Sequence, residues 1–213
     1  MRRVAVIDYG MGNLRSVSKA LEAVSNQVTV EVTSDPSTIL SASHVVFPGV
    51  GAIRDCIAEL QRLQLDEVIA QAAQTKPFLG ICLGMQALLT HSEENNGTTG
   101  LNIIPGEVTL FDKPVDADGN KLKVPHMGWN QVEQTCAHPL WSNIEQNSRF
   151  YFVHSYFVSP ADEAVIAGTS RYPEKFAAAL HRDNIFAAQF HPEKSQRAGL
   201  QLLENFVNWD GQS

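Results

Sequence analysis

The chain has 213 residues, 44% hydrophobic and 18% charged, a composition that excludes disordered, collagen-like and low-complexity polymers. At this length one domain spanning residues 1–213 is expected, able to bury about 70% of its unfolded surface without disulfides or metal. A net charge of −7, with no basic cluster beyond Arg2-Arg3, argues against a general nucleic-acid-binding surface.

The first half alternates two periodicities. Val4 to Ile7 reads as a buried strand, and Leu14, Val17, Leu21 and Val24 then recur at helical spacing. Val28 to Val32 and His44 to Phe47 are two further strands, the latter stopped by Pro48-Gly49-Val50-Gly51. Helical patterns over Ile53 to Leu60 and Leu65 to Ala73 lead to a strand at Phe78 to Ile81 and a helix from Leu83 to about Thr90. This alternation predicts an α/β fold: a mostly parallel central sheet with helices on both faces, its sites lying where strands end and helices begin.

The second half is different. Glu93 to Gly100 is a polar turn region. Strands are expected at Val108 to Phe111, Tyr151 to Val158, Val165 to Thr169, Ala177 to Leu180 and Ile185 to Phe190, with a hairpin signal at Asp118-Gly119. They add antiparallel strands to the sheet or form a small second one. A closing helix from about Ala198 to Trp209 carries Leu200, Leu203 and Val207 as one apolar stripe.

The three cysteines, Cys56, Cys82 and Cys136, form no C-x-x-C pair, a usage that fits a reducing compartment. The apolar run at Val4–Ile7 is too short for a signal peptide, and Phe78 to Leu89 is too short for a membrane span. Asn96-Gly97-Thr98 is then a turn rather than a glycosylation site. A cytoplasmic protein is expected.

The strongest local signal is Gly80-Ile81-Cys82-Leu83-Gly84, directly after a strand and directly before a helix. This is the form of a nucleophile elbow with cysteine as the nucleophile. The sharp turn leaves room only for glycine on either side, and the helix N-terminus beside the sulfur favours thiolate and can hold an oxyanion. Cys56, inside a helix, and Cys136, in a polar loop, lack that context and are expected to be structural.

A thiol nucleophile needs a base, and the base an orienter. Of seven histidines, His191 stands out, at the end of a strand and opening His191-Pro192-Glu193. In an extended chain His191 and Glu193 project to the same side. The imidazole can then take the thiol proton while the carboxylate holds the other ring nitrogen. The glycines of Pro48-Gly49-Val50-Gly51 permit backbone conformations that turn N–H groups toward the cleft. Gly10-Met11-Gly12-Asn13 is not a dinucleotide fingerprint, because Arg15 stands where the third glycine belongs. No phosphate loop and no metal-ligand spacing occurs, so neither cofactor nor metal is expected.

Together these motifs resemble the class I (triad) glutamine amidotransferases, over essentially the whole chain. Four stretches are similar to the glutaminase subunits of imidazole glycerol phosphate synthases within that family: Asp8 to Leu14, Pro125 to Asn130, Tyr151 to Tyr156 and Gln189 to Ser195. Ser155 stands where threonine is common, which keeps the hydroxyl. The resemblance implies a Cys82-His191-Glu193 triad and oxyanion donors at Val50, Gly51 and Leu83. It implies glutamine contacts at Gly49, Gln86, Ser155 and Tyr156. It further implies that ammonia passes to a cyclase subunit, a (β/α)₈ barrel that converts the ribonucleotide PRFAR to imidazole glycerol phosphate and AICAR in histidine biosynthesis. The chain has no room for such a barrel of about 250 residues, so a heterodimer follows. Asn13, Trp129, Tyr151 and Lys194 are the implied partner-face residues. The alternatives are the glutaminase of another synthase (anthranilate, aminodeoxychorismate or pyridoxal phosphate), a hydrolase with the same elbow, or a non-catalytic module on the same scaffold.

Overall fold

The structure is a computed structural model that describes residues 1–112, 114–116 and 118–212. Its first half follows the expected alternation: β1 (Arg2–Ile7), α1 (Leu14–Val24), β2 (Val28–Thr33), α2 (Pro36–Ser41), β3 (His44–Gly49), α3 (Ile53–Arg62), α4 (Asp66–Thr75), β4 (Phe78–Cys82) and α5 (Leu83–Ala87). The second half adds β5 (His91–Ser92), β6 (Thr98–Thr99), β7 (Gly106–Leu110), β8 (His126–Gln131), β9 (Glu133–Gln134), β10 (Arg149–His154), β11 (Tyr156–Pro160), β12 (Ile166–Arg171), β13 (Lys175–Arg182), β14 (Ile185–Ala188) and α6 (Gln196–Asn208).

The main sheet runs β2-β1-β3-β4-β14-β13-β11-β7-β5-β6, with β12 and β9 off β13. The five strands from β2 to β14 are all parallel. From β13 onward the pairing is antiparallel except for β5 with β7. The fold is therefore the expected one, a parallel centre with antiparallel additions.

Strand alternation sorts the core into two layers. Val4 and Val6 face one cluster with Val17 and Leu21 of α1 and Leu203 and Phe206 of α6. Ala5 and Ile7 face the other with Ile39 of α2, Ile53 and Leu60 of α3 and Ile69 of α4. Each fully buried Leu, Ile or Phe here contributes about 1.5–3 kcal/mol, and together they offset the entropy of ordering the chain. Leu200 is a correction: it is 38% exposed, and α6 buries Gly199, Leu202, Leu203, Phe206 and Val207 instead. The buried stripe is centred one residue away from the predicted one because Gly199 packs directly on the Pro192 carbonyl.

Other boundaries differ for identifiable reasons. The run Tyr151 to Val158 is two strands, split at Ser155 where the chain leaves a two-stranded β8–β10 sheet and enters the main one. α2 is an additional short helix between the second and third strands; Asp35 is its N-cap, accepting from Thr38 N at 2.8 Å, with Pro36 in the first turn. At Asp118-Gly119 the hairpin reduces to a turn closed by a single Val115–Lys121 bridge, with Asp116 Oδ1 accepting from the Asp118 and Asn120 N–H groups.

Burial lowers the pKa of His154 to about 3 and those of His126 and His138 to about 4, from an ordinary 6.5. The unfolded chain therefore binds more protons than the folded one below pH 6.5. The stability these groups contribute is complete above pH 6.5 and is lost as pH falls toward 4. Thermal melts at pH 7.0 and 4.5 should differ by about 10 °C, the acid sample melting first. Equal melting temperatures would mean that these histidines are protonated in the fold without cost.

Candidate active site

β4 carries the backbone straight into Cys82, whose φ of +54° and ψ of −110° lie in a region that non-glycine residues rarely occupy. Such a residue costs about 1–3 kcal/mol and persists only where its surroundings over-determine it. Two glycines do so here. A Cβ at Gly84 would stand 1.9 Å from the Phe47 carbonyl oxygen, and one at Gly80 would stand 3.2 Å from Ala187 Cβ. The elbow expectation thus holds in its steric detail. The helix after it is shorter than expected: α5 ends at Ala87, and Leu88 and Leu89 close it with tighter bonds to Met85 and Gln86 carbonyls. One and a half turns supply less dipole than the expected two.

β14 ends at Ala188, and Pro192–Lys194 forms a 3-10 turn rather than the extended segment expected. The turn still joins the pair: His191 Nδ1 donates to Glu193 Oε1 at 2.9 Å, both side chains being buried. Asn13 Nδ2 donates to the same oxygen at 3.2 Å. The loop is tied to β10 by His191 N to the Tyr151 carbonyl (2.9 Å), Tyr151 N to Ser195 Oγ (3.0 Å) and Ser195 Oγ to the His191 carbonyl (2.6 Å).

Burial alone would lower the His191 pKa, but Cys82 and Glu193 both favour the charged ring and push it up to about 10. Burial raises the Glu193 pKa, yet His191 and Asn13 outweigh it and hold the carboxyl below its usual range. Both shifts stabilise the imidazolium–carboxylate pair that forms when His191 takes up a proton, and Nε2 is left without a hydrogen-bond partner to receive it. His191 and Cys82 line one cavity of about 290 Å³. Such a set can take a proton from a thiol and return it to a leaving group. Loss of the base should therefore cost more than loss of its orienter. In glutaminase assays His191→Ala should be about tenfold to a hundredfold more damaging than Glu193→Gln. Equal losses would mean that Glu193 does more than orient the ring.

Val50, Gly51, Leu83, Gln86, Ser155 and Tyr156 all line that cavity. Gly51 has a φ of +97°, so its place in the wall requires glycine. Gly49 is not on the wall. It pairs with Cys82 at the end of β3, closely packed by the Tyr9 hydroxyl and Leu83. Gln86 is partly committed: its amide nitrogen donates to the Tyr156 carbonyl (3.1 Å) and to Gln189 Oε1 (3.0 Å), which leaves its carbonyl oxygen for a ligand.

Several wall residues were not singled out from sequence. Glu94, in the polar turn, is the only acidic side chain among the described lining residues, and its Oε2 accepts from Ile53 N at 3.0 Å. Pro125, Val153 and His154 complete the wall. A carboxylate in a turn has no local signature, and only the approach of α3 makes Glu94 conspicuous.

The four partner-face residues divide. Trp129 and Tyr151 are register partners on β8 and β10, in edge contact at 6.1 Å between ring centroids, and Lys194 Nζ stands 6.0 Å from the Tyr151 ring. With Met127 (61% exposed) and Trp129 (38%) they form an apolar face beside the cavity. Asn13 is instead turned inward, onto Glu193.

The glutamine amidotransferase class-I family model matches residues 5–209. The chain belongs to that family. As a class-I amidotransferase it is 63% identical over 213 residues, 100% of each chain, to imidazole glycerol phosphate synthase subunit HisH of Nitrosococcus oceani. It is 57% identical over 211 residues, 99% of each chain, to the protein of the same name from Pseudomonas putida. Among solved structures, the amidotransferase fold superposes on PurLQS from Thermotoga maritima with TM-score 0.72 at 18% identity, covering 98% of this chain and 99% of that one. It superposes on the glutaminase domain of Trypanosoma brucei CTPS with bound acivicin with TM-score 0.64 at 17% identity, covering 100% and 98%. Likeness at that identity speaks to the fold alone. In this amidotransferase no described helix is long and apolar enough to cross a membrane.

Proposed function

We propose that the chain is the glutaminase subunit of an imidazole glycerol phosphate synthase, a single amidotransferase domain working in the cytoplasm. It hydrolyses L-glutamine to glutamate and ammonia and passes the ammonia to a cyclase subunit. The observation that carries this reading is the buried His191–Glu193 pair facing the same cavity as the strained Cys82 elbow. The whole-length similarity to the HisH subunits supports the choice of synthase.

In this reading His191 Nε2 takes the Cys82 thiol proton as the sulfur attacks the side-chain carboxamide carbon of glutamine. Main-chain N–H groups at Val50, Gly51 and Leu83 stabilise the oxyanion. His191 Nε2 gives its proton to the departing ammonia as the tetrahedral adduct collapses to a thioester. His191 then takes a proton from water as the water attacks, glutamate leaves and the thiol is restored. Glu193 holds the Nδ1–H, so that Nε2 is the nitrogen that exchanges protons. The Gln86 carbonyl oxygen, Ser155 and Tyr156 contact the substrate, and Gly49 supports the strand end behind them. The Glu94 carboxylate pairs with the substrate's α-ammonium group.

Met127, Trp129, Tyr151 and Lys194 offer the cyclase, a (β/α)₈ barrel, an apolar face with one cation. An interface core of aromatic residues and Met is the composition that protein partners favour. Asn13 acts as a support for Glu193. The test is glutamate release by the chain alone, with the cyclase, and with the cyclase plus PRFAR. Release that is strong only in the complete mixture is expected. Release indifferent to the cyclase would assign the chain to another synthase, and none in any mixture of folded protein would make it a non-catalytic module.

A further inference from the structure

A continuous polar chain runs beneath the cavity, and one main-chain carbonyl fixes its direction. The Tyr156 carbonyl can only accept, so the Gln86 terminal atom 3.1 Å away is its nitrogen. The second proton of that nitrogen goes to the Gln189 side-chain oxygen at 3.0 Å. The other terminal atom of Gln189, 3.7 Å from Cys82 Sγ, is therefore an N–H donor aimed at the sulfur. Gln189 is fully buried, and its main-chain N–H is held by the Ala178 carbonyl at 2.9 Å.

The same carbonyl orients the other half of the chain. His154 Nδ1, 2.7 Å from it, must carry a proton. His154 Nε2 is then an acceptor and takes the Nδ1 proton of His126 at 2.9 Å. His126 Nε2 in turn accepts from Asn130 Nδ2 at 3.3 Å. Each group has one tautomer or rotamer that satisfies it, which is the condition under which a buried network rigidifies its surroundings.

We propose that Gln189 is a further catalytic residue, whose side-chain N–H holds the Cys82 sulfur in place for attack, with Gln86, His154 and His126 as the positioning residues that fix it. This rests on the reading of Cys82 as the nucleophile. A second hydrogen-bond partner of the sulfur among the described residues is the Val153 carbonyl at 4.0 Å, which can receive only an S–H. A thiol can satisfy that carbonyl; a thiolate cannot. The Gln189 N–H serves both forms and bonds the thiolate more strongly, because hydrogen bonds to charged acceptors are the stronger kind. Gln189 thus holds the attacking sulfur and limits its rotation while His191 moves the proton.

The test uses the full chain and iodoacetamide at pH 7, with the alkylation rate read at the Cys82 peptide and Cys136 as internal control. Gln189→Leu removes the donor and should slow alkylation about tenfold. Gln189→Glu keeps an acceptor for Gln86 but turns a carboxylate oxygen toward the sulfur, and should slow it about a hundredfold; both follow from the strength of hydrogen bonds to charged groups. A folded variant of either kind that reacts within twofold of the parent overturns the proposal. A measurement on the unaltered chain stands beside these should the variants fail to fold. The Gln189 side-chain N–H resonances in ¹H–¹⁵N NMR should move on alkylation of Cys82, and resonances that stay still overturn the proposal. Neither readout uses glutamine. Absent glutamate release with these results intact would count against the proposed function and leave the role of Gln189 at the sulfur standing.

Discussion

Cys82→Ala should abolish glutamine-dependent synthesis by the assembled enzyme, a fall of about 10⁴-fold or more, while synthesis from free ammonium continues at close to the parent rate. The first effect follows because no other thiol reaches the cavity. Cys56 is buried in the α3 core layer and Cys136 lies outside the lining. The second follows because the substitution removes a single sulfur from a site shaped by its backbone. Alanine can follow the same chain path, and the loss of packing should cost about 1 kcal/mol. Ammonium-dependent synthesis, glutamine-dependent synthesis and glutamate release, measured on one preparation, separate the cases. Loss of both syntheses would place the damage in folding or assembly. Persistence of glutamate release would remove Cys82 from the nucleophile's role altogether.

Gly84→Ala should be among the most destabilising single substitutions in the chain, although it adds one methyl group and touches no reacting atom. The added Cβ would lie 1.9 Å from the Phe47 carbonyl oxygen and 2.9 Å from its carbon. Both are main-chain atoms of β3, which pairs with β1 on one side and β4 on the other. No rotamer change relieves the overlap, so α5 must lift from the sheet or β3 must shift. About 3 kcal/mol or more is expected, lowering the melting temperature by about 10 °C. Lifting α5 also moves the Cys82 elbow, so glutaminase activity should fall even below the melting transition. A variant that melts with the parent would mean that the elbow can relax in a way this geometry does not contain.

Much of the parallel half was legible because its signals are local. The strand Val4–Ile7 and the helix carrying Val17 and Leu21 announce themselves by periods of two and 3.6, and these depend on neighbours only a few residues away. The elbow was legible for the same reason: two glycines around a cysteine between a strand and a helix describe one tight turn. β8 was not, because its pattern is inverted. His126 and Asn130 point inward to the buried network while Met127 and Trp129 point out, so apolar periodicity does not mark its inner face.

The sequence by itself determined the fold class, the nucleophile's turn and the pairing of His191 with Glu193, since each is built from residues adjacent or nearly adjacent along the chain. Tertiary structure alone decided that Asn13 would support Glu193 across 180 positions, that Glu94 would reach Ile53, and that Gln189 would meet both Gln86 and the Cys82 sulfur. Each of these is a hydrogen bond between side chains or loops far apart in sequence. Its existence depends on distances that only the packed sheet fixes, and a polar residue carries no periodic signal of which partner it will find.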